Sequence, residues 1–242
     1  MLRGETVTAV IPARRGSKGI PKKNLYRMGR DTLLERAIKI SELCSFVDNT
    51  VVSTDDPIID QTARGYGVAA PSLRPKQLAG DTASSVDVVV DLIENLPIST
   101  GWILLLQVTT PLRTLSDLNA FFECLEKADG DVDASVSLVK IDSPHPDKIQ
   151  KIEEGFVKSY LGKVASVARQ SLPSVYALNG AFYLVRKDIL LRERTFIPFR
   201  TVPFVMSADK SINLDTPTDL RYLEMMINSG FVEIEEYSLE KK

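Results

Sequence analysis

The sequence has few of the residues that build most metal sites and covalent catalytic centres. Among its 242 residues there is one histidine, His145, and there are two cysteines, Cys44 and Cys124. One histidine excludes a site of several histidines, and a catalytic triad would depend on that single residue. The cysteines lie far apart in helix-like segments without metal-ligand spacing, so we expect reduced thiols and a cytoplasmic protein.

An excess of charge of one sign and a long hydrophobic run are also missing. Thirty basic and thirty-two acidic residues give a net charge of -2, so the chain as a whole lacks the excess positive charge that is typical of nucleic-acid-binding proteins. No apolar run approaches the roughly twenty residues that span a bilayer, and the start lacks a signal-peptide pattern. We therefore expect neither nucleic acid nor membrane as a partner, and the length suits a single domain over 1–242.

What the sequence does contain is an alternation of strand and helix patterns. The strands read as continuous apolar runs, and the helices carry apolar residues at helical spacing or begin with a capping residue. We expect strands at 6–12, 49–53, 102–108, 134–139, 180–186 and 201–206, and helices at 32–43, 56–65, 86–96, 116–127 and 216–228. Repeated β-then-α units predict an α/β fold with a doubly wound, mostly parallel, Rossmann-like sheet.

The alternation stops between residues 142 and 178, where proline, lysine, glutamate and glycine dominate. The short apolar pieces there alternate as in antiparallel hairpins. They are too few to form a core, so we expect this insertion to project from the sheet and pack against a second copy of the chain. The sequence thus predicts a homodimer built by an inserted lobe.

The first strand runs into a loop with glycines and five cations, Arg14, Arg15, Lys18, Lys22 and Lys23. Such a loop presents backbone N–H groups and fixed charge to a polyphosphate. It matches neither the Walker A pattern nor the G-x-G-x-x-G of a dinucleotide fold. The loop therefore indicates a triphosphate bound in another way, although a short cation cluster taken alone favours a solvated basic turn.

In an open parallel sheet the ligand lies beyond the carboxyl ends of the strands, so the residues that follow each strand should converge. Cations there would neutralise phosphate oxygens, and one or two carboxylates would hold Mg²⁺. The residues in these positions are Arg14, Lys18, Asn24, Ser53, Thr54, Asp55, Gln107, Thr109, Thr110, Arg113, Asn213 and Asp215.

Six motifs in register along nearly the whole chain resemble those of the acylneuraminate cytidylyltransferases, also called CMP-sialic acid synthetases. They are A-R-x-G-S-K-G-x-P-x-K-N at 13–24, V-S-T-D-D at 52–56, L-x-x-D-T-A-S-S at 78–85, L-L-Q-x-T-x-P-L-R at 105–113, N-G-A-F-Y at 179–183 and L-D-T-P-x-D-L at 214–220. The resemblance implies transfer of CMP from CTP to the anomeric hydroxyl of a 2-keto sugar acid, with release of pyrophosphate, in a Mg²⁺-dependent homodimer.

The resemblance also implies roles for single residues. Arg14 and Lys18 match the cations that bind the triphosphate, and Asp215 matches a metal-binding aspartate; these three form the expected catalytic set. Arg169 matches an arginine that grips the sugar carboxylate from the inserted lobe. The other positions that match the nucleotide and sugar pocket are Asn24, Arg74, Ser85, Gln107 and Asn179.

Two positions depart from the family pattern. Asn213 stands where the late motif usually has the first aspartate of D-x-D; its amide oxygen can still ligate Mg²⁺ beside Asp215, with one negative charge fewer. Ala177 stands where some sialic-acid enzymes carry a second arginine, so the sugar side is matched less closely than the nucleotide side.

The residues alone predict a reaction driven by positioning and charge neutralisation, because neither an activated nucleophile nor a general base can be assigned. One alternative is the same chemistry with another nucleoside triphosphate or with an octulosonate, legionaminate or pseudaminate acceptor. Another is a non-catalytic nucleotide-binding protein that lost metal binding at Asn213. Release of pyrophosphate from CTP and an acceptor distinguishes an enzyme from a sensor.

Overall fold

The computed structural model describes residues 1–16, 19–68, 73–80, 82–95, 99–162 and 172–239. Its strands are β1 (Val7–Pro12), β2 (Arg27–Met28), β3 (Asp31–Thr32), β4 (Asn49–Ser53), β5 (Trp102–Leu105), β6 (Ala134–Ile141), β7 (Gln150–Glu153), β8 (Phe156–Ser159), β9 (Val175–Arg186) and β10 (Thr201–Met206). Its α-helices are α1 (Leu33–Leu43), α2 (Pro57–Gly65), α3 (Lys76–Ala79), α4 (Ser85–Asn95), α5 (Leu115–Glu126), α6 (Lys187–Glu193) and α7 (Pro217–Asn228).

Six strands form the central sheet in the order β10-β6-β9-β5-β1-β4. The pairs β1–β4, β1–β5 and β6–β10 are parallel, whereas β9 is antiparallel to both of its neighbours. The predicted mostly parallel α/β sheet is confirmed. The chain leaves the sheet along β6 and returns along its neighbour β9, and these two consecutive strands pair in opposite directions.

Helices cover both faces of this sheet, as expected for parallel strands that read as continuous apolar runs. In β1, Val7, Ala9 and Ile11 face the core shared with α1 and α5, and Val10 faces the core shared with α4 and α6. The strand alternates between two buried sides, so every residue of its centre is apolar or small. No α-helix in the described part of the chain combines the length and apolar character needed to cross a membrane.

We call residues 142–174 the arm; its described residues, 142–162 and 172–174, lie beyond the end of the β6–β9 ribbon. That ribbon continues to the pair Ile141–Val175, so the last residues of the predicted insertion belong to β9. Within the arm, β7 and β8 form the expected antiparallel hairpin around Glu154 and Gly155, which both have positive φ as in a type I′ turn. Residues 163–171 of the arm lie outside the described part of the chain.

Candidate active site

A cleft of about 380 Å³ opens at the carboxyl ends of β1 and β5. Its walls come from five stretches of chain that the fold brings together at this edge of the sheet. The residues that line it are Pro12, Arg14, Asn24, Arg74, Leu78, Gly80, Ala83, Ser85, Val88, Gln107, Val108, Thr109, Asn213 and Asp215. Seven of the residues assigned a site role from the sequence therefore meet in one cavity: Arg14, Asn24, Arg74, Ser85, Gln107, Asn213 and Asp215. Thr109, which was expected there because it follows a strand, also lines it.

The loop after β1 is held in place by its own polar side chains. Asn24 donates from Nδ2 to the carbonyl oxygen of Arg14 at 2.8 Å, which fixes the backbone from which the Arg14 side chain reaches the cleft. The neighbouring Arg15 donates its backbone N–H to Asp55 Oδ1 at 2.7 Å. Asn24 thus supports the cation site as well as lining the cleft.

Arg74 contributes a second guanidinium, and it is buried at the end of β4. Its Nη2 donates to the Ser53 carbonyl oxygen at 2.6 Å and its Nε to Ser53 Oγ at 3.1 Å. Burial lowers the pKa of Arg74 below the usual arginine value; the charge of Asp55 opposes this change and that of Arg14 adds to it. Two mutually repelling cations therefore share the cleft, and an anion bound between them would relieve that repulsion.

The late motif enters the cleft ahead of α7. Thr216 caps this helix and Asp219 closes the capping box, which places Asp215 next to the helix N-terminus. Hydrogen bonds from Thr216 lower the pKa of Asp219, so the cap carries a negative charge. Asn213 donates from Nδ2 to Asp215 Oδ2 at 2.5 Å, and the Asp215 side chain remains 63% exposed.

Lys23 was not among the residues predicted for the site. Its Nζ donates to the Leu214 carbonyl oxygen at 2.5 Å and to Asp215 Oδ1 at 3.3 Å, which ties the first loop to the late motif. The signal in the sequence was the group of five cations after β1, but that group does not tell which cation faces a ligand and which faces a carboxylate.

Asp215 and Asn213 offer oxygen ligands of the kind that Mg²⁺ prefers. Within the described residues, no cluster of three or more histidine, cysteine, aspartate or glutamate side chains could hold a metal by itself. Mg²⁺ in nucleotide sites is commonly held by one or two carboxylates together with phosphate oxygens. The exposed carboxylate of Asp215 fits such a shared site.

Gln107 lies where β9 passes close to the turn after β5. A β-carbon placed on Gly180 would stand 2.9 Å from Gln107 Oε1 and 3.8 Å from Asn213 Oδ1. Gly180 also has a positive φ of 78°, so glycine is required here both for the backbone conformation and for the close approach.

Among the described residues to which the family resemblance assigned a role, Asn179 does not line the cleft. Ser53, Thr54, Asp55, Thr110 and Arg113, which were expected to converge there because they follow strands, do not line it either. Asn179 is buried, and its Oδ1 accepts from Ser137 Oγ at 2.6 Å while its Nδ2 donates to Ser211 Oγ at 3.0 Å. Two further predicted residues, Lys18 and Arg169, lie outside the described residues.

Comparison with known proteins gives matches over nearly the whole chain. Residues 8–239 match the family model described as cytidylyltransferase. The CMP-N,N'-diacetyllegionaminic acid synthase of Legionella pneumophila is 30% identical over 227 residues, which cover 91% of this chain and 96% of that protein. The N-acylneuraminate cytidylyltransferase of Streptococcus agalactiae serotype V is 30% identical over 213 residues, or 87% of this chain. The match spans 50% of the length of that relative.

Solved structures share the fold. A structure of CMP:2-keto-3-deoxy-manno-octonic acid synthetase complexed with CTP aligns with a TM-score of 0.67 over 93% of this chain and 99% of that chain. At 16% identity this likeness concerns the arrangement of strands and helices only.

Proposed function

This chain belongs to the cytidylyltransferase family, and we propose that it transfers CMP from CTP to the anomeric hydroxyl of a 2-keto-3-deoxy sugar acid, with release of pyrophosphate. The acceptor class follows the names of the relatives, which act on legionaminic and acylneuraminic acids.

One observation carries the proposal. Seven residues predicted for the site from separate parts of the sequence line a single cleft at the ligand-binding edge of the sheet. That cleft combines two guanidinium groups with a carboxylate and an amide, which suits a polyphosphate and its counter-ion.

In the proposed reaction the anomeric oxygen forms a bond to the α-phosphorus of CTP as the bond to the bridging oxygen of pyrophosphate breaks. Arg14 neutralises phosphate oxygens where charge accumulates, and we propose the same role for Lys18. Arg74 adds positive charge to the cleft lining, where its bonds to Ser53 orient the guanidinium. Most of the acceleration then comes from alignment and fixed charge.

We propose Mg²⁺ as the cofactor, with Asp215 and Asn213 as its protein ligands. When bound together with CTP, Mg²⁺ would neutralise the charge of the phosphates and of the departing pyrophosphate. Lys23 would compete with Mg²⁺ for Asp215 Oδ1. Its other hydrogen bond, to the carbonyl oxygen of Leu214, holds the backbone so that the Asp215 carboxylate stays at the cleft.

The test is release of pyrophosphate with each of the four nucleoside triphosphates and a panel of sialic, legionaminic, pseudaminic and eight-carbon octulosonic acids. We expect CTP to be required and a nine-carbon acid to be the best acceptor. Binding of CTP without pyrophosphate release for any acceptor would indicate a non-catalytic nucleotide-binding protein.

We also propose that two copies of the chain pair through the arm and that the arm reaches the neighbouring cleft. Ile152 and Val157 face each other across the β7–β8 hairpin, and their side chains are 79% and 70% exposed. A pair of exposed apolar side chains on a thin hairpin has no core of its own to pack on, which supports burial against a partner copy.

A further inference from the structure

Arg113 ends the motif that begins with the last residue of β5, and its side chain folds back under the turn that carries Gln107. It is only 2% exposed, so it cannot contact a ligand in the cleft. Its Nη1 lies 2.5 Å from the carbonyl oxygen of Gln107, 2.9 Å from Thr110 Oγ1 and 3.1 Å from the carbonyl oxygen of Ala181. One nitrogen thus connects the turn after β5 with β9.

Thr110 extends this connection. It accepts from Arg113 and can donate from the same Oγ1 to the carbonyl oxygen of Gly180 at 3.2 Å. Gly180 is the residue against which the Gln107 side-chain oxygen packs. The Arg113 guanidinium is therefore bonded directly to the backbone of Gln107 and, through Thr110, to Gly180, which the Gln107 side chain contacts.

The environment of Arg113 is costly for a cation. Within the described residues it forms no ion pair, and its Nε is buried without a hydrogen-bond partner. Burial lowers its pKa to about 9, the charge of Arg36 adds to the lowering, and Tyr237 opposes it. A buried cation whose partners are all neutral oxygens forms strong, short hydrogen bonds to those oxygens. Removing the charge from water costs free energy, and an apolar side chain of similar size would fill the space without that cost.

We infer that Arg113 is a positioning residue that fixes Gln107 in the substrate cleft. This inference deepens the proposed function and rests on it for the kinetic part of its test. A general anchor of the fold would stabilise the protein without acting through any particular cleft residue, and this difference can be measured.

A double-mutant cycle separates the two roles. We expect Arg113→Met and Gln107→Ala each to lower kcat/KM for pyrophosphate release by about tenfold or more, and the double variant to lose little beyond Gln107→Ala. Phe122→Leu is the control, because this core ring stacks on Phe46 away from the turn; its effect should multiply with that of Gln107→Ala. Independent, multiplying effects of Arg113→Met and Gln107→Ala would overturn the inference.

Thr110→Val provides a milder version of the same test if Arg113→Met does not fold, because it removes the hydroxyl that links Arg113 to Gly180 and that lies 3.4 Å from the carbonyl oxygen of Gln107. It should give the same non-additivity with Gln107→Ala, and multiplying effects there would count equally against the inference.

A readout that does not need turnover is the side-chain amide signal of Gln107 in protein labelled with ¹⁵N-glutamine, assigned by its loss in Gln107→Ala. We expect this signal to shift or broaden in Arg113→Met and to remain unchanged in Phe122→Leu. An unchanged signal in Arg113→Met would overturn the inference. If the wild-type chain released no pyrophosphate, the proposed function would fail, and the amide signal would still decide the role of Arg113.

Discussion

Gly19 lies directly against the backbone of Asp215. A β-carbon placed on Gly19 would stand 1.7 Å from the carbonyl oxygen of Asp215 and 2.9 Å from its carbonyl carbon. The cation loop after β1 and the late carboxylate motif are thus packed together at a point where only hydrogen fits, and a shift of one moves the other.

Gly19→Ala should therefore displace the loop from Asp215. We expect kcat/KM for pyrophosphate release to fall about 100-fold, the scale of a misplacement of roughly 1 Å, while the melting temperature changes little because the contact lies at the surface end of the sheet. Gly16→Ala is the matched control, since nothing lies within 4 Å of a β-carbon there. Equal activity of the two variants would show that the close packing is not needed for catalysis.

The phosphate cations can be tested in the same loop. Arg14→Ala and Lys18→Ala should each cost about 2–4 kcal/mol of transition-state stabilisation in kcat/KM, the scale for losing one preorganised charged contact. Arg15→Ala serves as the control, because Arg15 is an exposed cation whose backbone, not its side chain, is bound to Asp55. The fold should persist in all three variants, and near-wild-type kinetics for both Arg14→Ala and Lys18→Ala would refute the assignment.

The sequence predicted the mostly parallel sheet, and it predicted which segments meet at the cleft, because both depend on local patterns. Continuous apolar strands identify buried parallel strands, and polar residues directly after them must lie at one edge. The antiparallel direction of β9 was not predictable, because it depends on which distant strands flank it.

Single residues were harder to predict for a related reason. Arg113 and Arg14 both follow strands in the sequence, yet one is buried among carbonyl oxygens and the other lines the cleft. Asn179 belongs to one of the motifs, yet it is buried and bonded to Ser137 and Ser211 away from the cleft lining. Composition and spacing locate such residues at the edge of the sheet, and only tertiary packing determines whether a side chain faces the ligand or the backbone.

The arm gives a prediction about assembly. Val157 and Ile152 form an exposed apolar pair on the β7–β8 hairpin. Val157→Glu should convert the proposed dimer to a monomer at micromolar concentration, as measured by sedimentation, because a carboxylate is costly to bury in an apolar interface. Phe199→Glu is the control outside the arm, since Phe199 is fully exposed at 103% and should leave the dimer intact. A wild-type chain that is monomeric at this concentration and fully active would contradict the proposed role of the arm.

The ion pair at the start of β6 predicts a pH dependence of stability. Arg200 donates to Asp133 from Nε at 2.7 Å and from Nη2 at 2.8 Å, and these bonds lower the pKa of Asp133 in the folded chain. A lowered folded pKa stabilises the protein above the unfolded pKa of about 4, and this contribution is lost as the pH falls through the folded value.

Asp133→Asn should therefore melt at a lower temperature than wild type at pH 7, and the difference should shrink below about pH 4. Asp131→Asn is the control, because Asp131 lies 3.3 Å from the same arginine but is almost fully exposed. It should change the melting temperature little at either pH. A constant difference between Asp133→Asn and wild type from pH 7 to acid would show that the ion pair is not its cause.

The replacement at residue 213 predicts how the metal is bound. Asn213 donates its amide N–H to Asp215 Oδ2, so the pair carries one negative charge where two aspartates would carry two. We expect Mg²⁺ to bind the free protein weakly and to depend on the triphosphate oxygens. Asn213→Asp removes this donor and sets two carboxylates side by side, and a cation between them relieves the repulsion.

Asn213→Asp should accordingly lower the Mg²⁺ concentration for half-maximal rate and tighten Mg²⁺ binding measured by calorimetry without nucleotide, with the preferred acceptor unchanged. Asp215→Ala should abolish turnover, because position 213 carries an amide and the Asp219 carboxylate is held in the capping box of α7. Acceptor choice depends on the shape of the pocket and on the arm, whereas the added charge acts on the cation directly. A fully active Asp215→Ala variant would show that the metal is held elsewhere, and Asp55 and Asp81 would then be the carboxylates to replace.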